Sequence, residues 1–211
     1  MKPQRLSFLL RLCTISTLVS FLSACAFWNS KPPLQPLDLS QTNWPAIQQE
    51  LNTLVRWKMT GKIGIRSQRE SLTAAINQWS QDKDTFIIDL SSTFLGLGAT
   101  RVIGNSEFLT IIESGEDAVS SDNPDALMES SLGLALPISH LPFWIKATPV
   151  PNIDFDIQFN TQGLPQTIFQ NGWHIDYTKY ALEKQLPLPG KIKLKRDDTQ
   201  ITLAIKQWTI Q

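Results

Sequence analysis

The residues whose types could carry chemistry are few and dispersed. Two histidines, His140 and His174, stand in a helical connection and in a strand, and neither belongs to a metal-ligand spacing such as His-Glu-x-x-His. Each reads as a surface or rim residue. Asp154 and Asp156 occupy alternate positions of one strand, and Asp197-Asp198 sits in a turn. Solvated faces explain both pairs, because acid–base work needs a cleft that the pattern does not supply. No serine lies in a Gly-x-Ser-x-Gly elbow. Gly61-Lys62 is followed by Ile63 and lacks the wider glycine spacing of a phosphate-binding loop. The expectation is therefore a protein that is not an enzyme and uses no metal or cofactor. What remains is the cysteine pair, Cys13 and Cys25.

Cys25 takes its meaning from the residues before it. Residues 1–11 form a short basic region, and residues 12–24 an apolar run of about 13 residues, too short to span a bilayer as a helix. Residues 1–24 read as a secretory signal. Leu22-Ser23-Ala24-Cys25 resembles the lipobox of bacterial lipoproteins, where cleavage precedes a cysteine already diacylated on sulfur. An ordinary signal with an incidental cysteine is the alternative. On the lipobox reading Cys25 bears the lipid, and at about 0.8 kcal/mol per buried methylene two or three chains anchor it nearly permanently. Ala26, where aspartate would resemble an inner-membrane retention signal, points by the same resemblance to the outer membrane. Cys13 leaves with the signal, so no intramolecular disulfide can form. Residues 25–42, with Lys31-Pro32-Pro33 and Pro36, form a lipidated, semi-rigid tether reaching at most about 60 Å. Trp28 suits an interfacial anchor.

The rest, residues 43–211, is of single-domain size. Of 211 residues 42% are hydrophobic and 18% charged, with 19 Lys+Arg against 19 Asp+Glu, which disfavours both disorder and a nucleic-acid-binding footprint. Asn43 can cap a helix with Pro45 in its first turn and Trp44, Ile47, Leu51, Leu54 and Val55 on one face. From Trp57 the apolar period becomes two, and runs at 57–66, 72–79, 85–90, 99–103 and 108–112 read as a meander. Asp122-Asn123-Pro124 starts a second helix, and residues 137–145 form a short apolar segment. Strands resume at 153–159, 164–170, 173–180, 191–195 and 201–209, with turns at Thr161-Gln162-Gly163, Asn171-Gly172 and Asp197-Asp198. About ten or eleven antiparallel strands in so short a chain close, or nearly close, into a mainly β barrel whose interior side chains or a ligand must fill. The seven tryptophans supply either core or the wall of an apolar cavity.

One ordered series of residues carries a resemblance. Cys25, the tether, Trp57-Lys58-Met59-Thr60-Gly61-Lys62-Ile63, Trp79, Leu95-Gly96, Gly133 to Pro137, Leu141 to Pro149, Gln170-Asn171-Gly172-Trp173, Tyr177, Tyr180 and Trp208 together resemble the LolB family of outer-membrane lipoprotein receptors. The similarity spans nearly the whole mature chain. It implies an incomplete antiparallel β-barrel with a helical lid and an apolar cavity, in a lipid-anchored monomer facing the periplasm. It further implies that a periplasmic carrier, LolA, delivers the acyl chains of lipoproteins to that cavity for placement in the outer membrane. Trp57, Trp79, Trp144 and Trp173 are the candidates for the cavity wall. The family's protruding loop carries an exposed leucine in a Pro-Leu-Gly turn, which maps onto Leu95; Phe94 stands where the family has proline, and Ala147 where it often has glycine.

That loop is also unusual on composition alone. A hairpin tip holding Phe94, Leu95 and Leu97 between glycines either tucks into the core or seeks lipid. Inserting one such side chain into an apolar phase is worth roughly 1.5 to 3 kcal/mol, a reversible touch. The leading expectation is a receptor and insertion protein for lipoproteins. A lipid-anchored binder of one small apolar ligand and a hydrolase with an unrecognised site are the alternatives.

Overall fold

In the computed structural model, which describes residues 43–67, 71–91, 98–132 and 136–211, the chain opens with helix α1 (Trp44–Thr53). Asn43 caps it, accepting from Ala46 N at 3.5 Å, and Pro45 fills the first turn, where its missing N–H costs nothing. Trp44, Leu51 and Leu54 are buried, whereas Val55 is 46% exposed. The helix stops at Thr53, so Val55 leaves the helical period that would have placed it on the apolar face.

Among the described residues eleven strands follow in one antiparallel sheet. The first six are β1 (Arg56–Arg66), β2 (Ser71–Asp82), β3 (Thr85–Ser91), β4 (Ala99–Gly104), β5 (Leu109–Glu113) and β6 (Val119–Ser121). Helix α2 (Pro124–Leu132), a 3-10 turn (Ile138–His140) and the short helix α3 (Leu141–Trp144) then lead to β7 (Phe155–Phe159). The chain returns through β8 (Pro165–Gln170), β9 (Trp173–Glu183), β10 (Leu186–Arg196) and β11 (Thr199–Ile210). The order across the sheet is β6-β5-β4-β3-β2-β1-β11-β10-β9-β8-β7, so β1 and β11 pair in the middle and the helical segment connects the two edge strands. β6 and β7 do not pair, and the sheet is an incomplete barrel, as expected.

The differences from the sequence reading have local causes. β6 is a three-residue edge strand, too short for any periodicity to register. β10 starts at Leu186 although Pro187 and Pro189 follow, because this stretch pairs only with β9; β11 joins it from Lys191 onward. A proline is tolerated where one side of the ladder is free. The β9–β10 turn uses Lys184 (φ 47°) and Gln185 (φ 72°) in place of glycine. Asn171 (φ 52°) and Gly172 (φ 75°) make the β8–β9 turn that their types predict.

Irregularities in the central strands set which side chains face inward. On β2 the buried residues Ala74 and Ile76 are even-numbered, yet Trp79 and Gln81 are odd-numbered. The pairing slips between Ile76 and Trp79, where Gly61 and Met59 of β1 face Ile76 and Trp79 respectively. An extra residue at that point reverses the alternation. β11 does the same: Ile201 and Leu203 point inward, then Trp208 and Ile210, because Thr60 pairs Gln207 while Gly61 pairs Ile205. Gly61 sits at the centre of both slips, where a Cβ would collide with the carbonyl oxygen of Ala204. Gly61→Ala is therefore expected to lower stability by about 1–3 kcal/mol through forced displacement of β11. Urea unfolding checks it, and a midpoint equal to the wild type would mean that the approach is relieved at no cost.

Candidate functional site

The concave face of the sheet is apolar and the helical segment lies against it. Asn123 starts α2 by accepting from Ala126 N at 3.2 Å, Pro124 follows as the first helical residue, and Leu127 and Met128 are buried. Asp125 then accepts from Ile138 N at 3.0 Å and ties α2 to the 3-10 turn. Between this cover and the strands lies a cavity of about 100 Å³. Its walls are Ile63 and Ile65 of β1, Leu72, Ala74, Ile76 and Trp79 of β2, Ile88 and Leu90 of β3, and Val102 of β4. Met128, Leu136, Ile138 and Leu141 close it from the cover, and Glu113 brings the one carboxylate of the lining.

α3 and the segment that leads from it to β7 are pinned far more firmly. Gln170 on β8 is 3% exposed and uses its whole amide: its oxygen accepts from Trp144 Nε1 (2.9 Å) and Val150 N (2.8 Å), and its nitrogen donates to Val150 O (2.9 Å) and Ile153 O (3.0 Å). Tyr177 on β9 donates to Trp144 O at 2.9 Å; full burial pushes its phenol pKa well above the ordinary value, so it stays a donor. Ala147 takes φ +60°, the left-handed region that glycine favours. Beside it Lys146 turns inward, 4% exposed, and its Nζ donates to Leu51 O (2.7 Å) and Leu54 O (3.1 Å) at the C-terminal end of α1. These carbonyls carry the negative end of the helix dipole and stand in for a carboxylate partner. Burial nevertheless pushes the Lys146 pKa down to about 8.

The four candidate tryptophans occupy different places. Trp79 lines the cavity. Trp57 packs between Trp79 (centroids 5.9 Å apart) and Trp208 (5.4 Å) and faces a neighbouring, more polar pocket. Trp144, the last residue of α3, meets Trp173 with the rings tilted at 51° and centroids 6.1 Å apart, and Arg196 lies over the Trp173 ring at 5.0 Å. Cys25, Trp28, Phe94, Leu95, Leu97 and Gly133 lie outside the described residues. Sequence reasoning assigned no role to Gln170 or Lys146. Gln170 stood within a quoted motif, but four satisfied bonds are visible only once β8 and the crossover meet.

The remaining titratable groups are structural in geometry. His140 packs edge-on against Trp144 at 5.0 Å, and burial pushes its pKa down while the Asp125 charge opposes the shift. Burial works to raise Asp176, but hydrogen bonds and charge from His174 (2.8 Å) and Lys195 (3.4 Å) hold it below the usual carboxylate value. Asp154, Asp156, Asp197 and Asp198 are exposed.

The fold is an open antiparallel sheet with a helical cover over an apolar cavity. A family model described as outer membrane lipoprotein LolB matches residues 55–208. The chain belongs to the LolB family. It is 34% identical over 199 residues to the outer-membrane lipoprotein LolB of Pseudomonas paraeruginosa, covering 94% of this chain and 96% of the relative. With that of Stutzerimonas stutzeri the identity is 36% over 165 residues, covering 78% of this chain and 79% of the relative. Among solved structures, a LolA superfamily protein from Nitrosomonas europaea aligns with a TM-score of 0.48 at 7% identity, covering 79% of this chain and 93% of that one. The chain is thus a member of a family of outer-membrane lipoproteins.

Lys146 makes the pH dependence of folding testable. Its folded pKa of about 8 lies below the unfolded value of 10.5, so the unfolded chain holds the proton more tightly. Stability from this group therefore rises as pH climbs from about 8 to about 10.5, by on the order of 3 kcal/mol. The difference in unfolding free energy between wild type and Lys146→Met, followed across this range, should move in favour of the wild type; a flat difference would mean that the ammonium is not desolvated.

Proposed function

We propose that the cavity under α2 and α3 receives acyl chains of lipoproteins handed over by the periplasmic carrier LolA, and that this protein then releases them into the outer membrane. The observation that carries the reading is the cavity lining, aliphatic and aromatic on four adjacent strands and on the cover, with Thr100 and Glu113 its polar members. No energy source is needed. A lipoprotein with about 40 methylenes gains on the order of 30 kcal/mol from a bilayer. A cavity that covers only part of the chains can thus outcompete a weaker carrier and still lose to the membrane.

The size of the cavity constrains how this works. At about 100 Å³ it is smaller than the roughly 150 Å³ that admits a benzene-sized guest. Acyl chains therefore require the cover to open. α3 is held by Gln170 and Tyr177, which leaves α2 as the part that yields. Within this proposal Leu95, with Phe94 and Leu97 beside it, makes the reversible contact with the membrane that release needs. The same small volume favours a second reading, a lipid-anchored binder of one small apolar ligand.

Transfer from a carrier–lipoprotein complex to the soluble body with Cys25 replaced, and from there to liposomes, separates these readings. Wild type should strip the carrier and deliver. Ala74→Phe, which fills the cavity, should accept at least tenfold less cargo while remaining folded; Leu95→Glu should accept cargo and deliver poorly. A wild type that takes no cargo would sink the receptor reading and leave the small-ligand one.

A further inference from the structure

The face of the sheet turned away from the cover has a charge distribution that the chain as a whole does not show. Lys+Arg and Asp+Glu balance at 19 each, yet nine of the cations and none of the carboxylates lie on β1, β11 and β10, which are neighbours at the middle of the sheet. Alternation sends Ile65, Ile192, Leu194, Ile201 and Leu203 to the covered side, so Lys62, Arg66, Lys191, Lys193 and Lys195 stand on the other. Strand pairing aligns these cations in rows: Lys62, Ala204 and Lys191 form one, Gly64, Thr202 and Lys193 the next, and Arg66, Gln200 and Lys195 the third. Successive positions on one strand are about 7 Å apart, and β1 lies about 10 Å from β10 across β11. Among the described residues Lys195 is the one of these five cations in an ion pair, with Asp176 at 3.4 Å. Carboxylates border the patch without entering it: Asp176 lies opposite Lys193 on β9, and Asp197 and Asp198 occupy the β10–β11 turn.

We propose that this face rests on an anionic lipid surface. Like charges at these spacings repel one another and detract from stability, and lipid phosphates laid against them reverse the sign of that interaction. The composition favours a bilayer over a protein partner. Protein interfaces are rich in aromatic residues and arginine and poor in lysine, whereas four of these five cations are lysines and Gly64, Thr202 and Ala204 between them offer no side chain to fill a pocket. The lysine ammonium is a point charge that needs no fixed partner geometry, which suits mobile headgroups. The chain belongs to a family of outer-membrane lipoproteins, and the tether expected at residues 25–42 reaches at most about 60 Å. A contact too weak to recruit a free protein is well populated on a chain already held at the surface. Seated this way, the sheet keeps its cover on the aqueous side. The contact is electrostatic and therefore screened by salt, unlike the apolar one proposed for Leu95.

The test follows co-sedimentation of the full chain from residue 25 onward, with Cys25→Ser so that no lipid anchors it, on vesicles of phosphatidylcholine alone or with about one-third phosphatidylglycerol. At about 0.05 M salt the wild type should partition onto the anionic vesicles about 100-fold better than onto the neutral ones, and at about 0.3 M most of that preference should vanish. At about fivefold per lysine, Lys191→Gln combined with Lys193→Gln should weaken anionic partitioning about 30-fold with the melting temperature retained. Lys83→Gln combined with Lys184→Gln removes the same charge from the β2–β3 and β9–β10 turns and should change it less than about threefold. Equal losses in the two double variants would overturn the proposal. So would partitioning that ignores both lipid charge and salt, which would report the apolar contact instead. No binding to either vesicle at low salt would overturn it too and leave an acidic protein as the occupant. None of these readouts involves cargo, so the acyl-chain reading is decided separately.

Discussion

The placement of the cover rests on one buried side chain. The chain must travel from β6 at one edge of the sheet to β7 at the other, across an apolar face that water would otherwise wet. Gln170 decides where that crossing lies, because every polar atom of its amide is matched by the segment that passes over it. A buried amide with any of these bonds missing would bear the desolvation cost without compensation, so the crossover has one position of low energy. Tyr177, bonded to Trp144 O, fixes the same segment from the next strand.

That anchoring divides the cover into unequal halves. α3 and the residues after it are continuous with the core: Trp144 is fully buried and Trp173 1% exposed. α2 instead reaches the 3-10 turn through Asp125 and closes the cavity with Met128, Leu127 being buried as well. The cavity is thus bounded by two kinds of wall, the sheet with the Gln170-anchored crossover on one side and α2 with its bond to the 3-10 turn on the other. The proposed uptake of acyl chains would call on such a device, since acyl chains are long and the resting cavity is small.

Lys146 is the counterpart of Gln170 at the other end of the cover. It commits its ammonium to the C-terminal carbonyls of α1, so the first helix, the turn after α3 and the start of β1 meet at one buried cation. The arrangement costs desolvation, seen in the depressed pKa, and offsets it with two charge-assisted hydrogen bonds. It also brings a charge to the edge of the polar pocket beside Trp57 and Gln81.

Much of this was legible along the chain. Asn43 with Pro45 and Asn123 with Pro124 mark the helix starts, because a capping oxygen and a ring that needs no N–H act within a few residues. Asn171-Gly172 marks its turn for the same local reason, and alternating apolar residues mark the strands. The kind of cavity, apolar and covered, followed from strand number and composition together with the family resemblance. What each tryptophan faces did not, since a single extra residue in β2 and in β11 reverses the alternation and only the pairing with β1 across Gly61 reveals it. Nor did the partners of Gln170 and Lys146, whose bonds join residues 17 to 95 positions apart. Local chemistry is written in neighbours along the chain and the sequence determines it alone; inward or outward facing, and which buried polar group meets which, are properties of the assembled sheet and were decided by the tertiary structure.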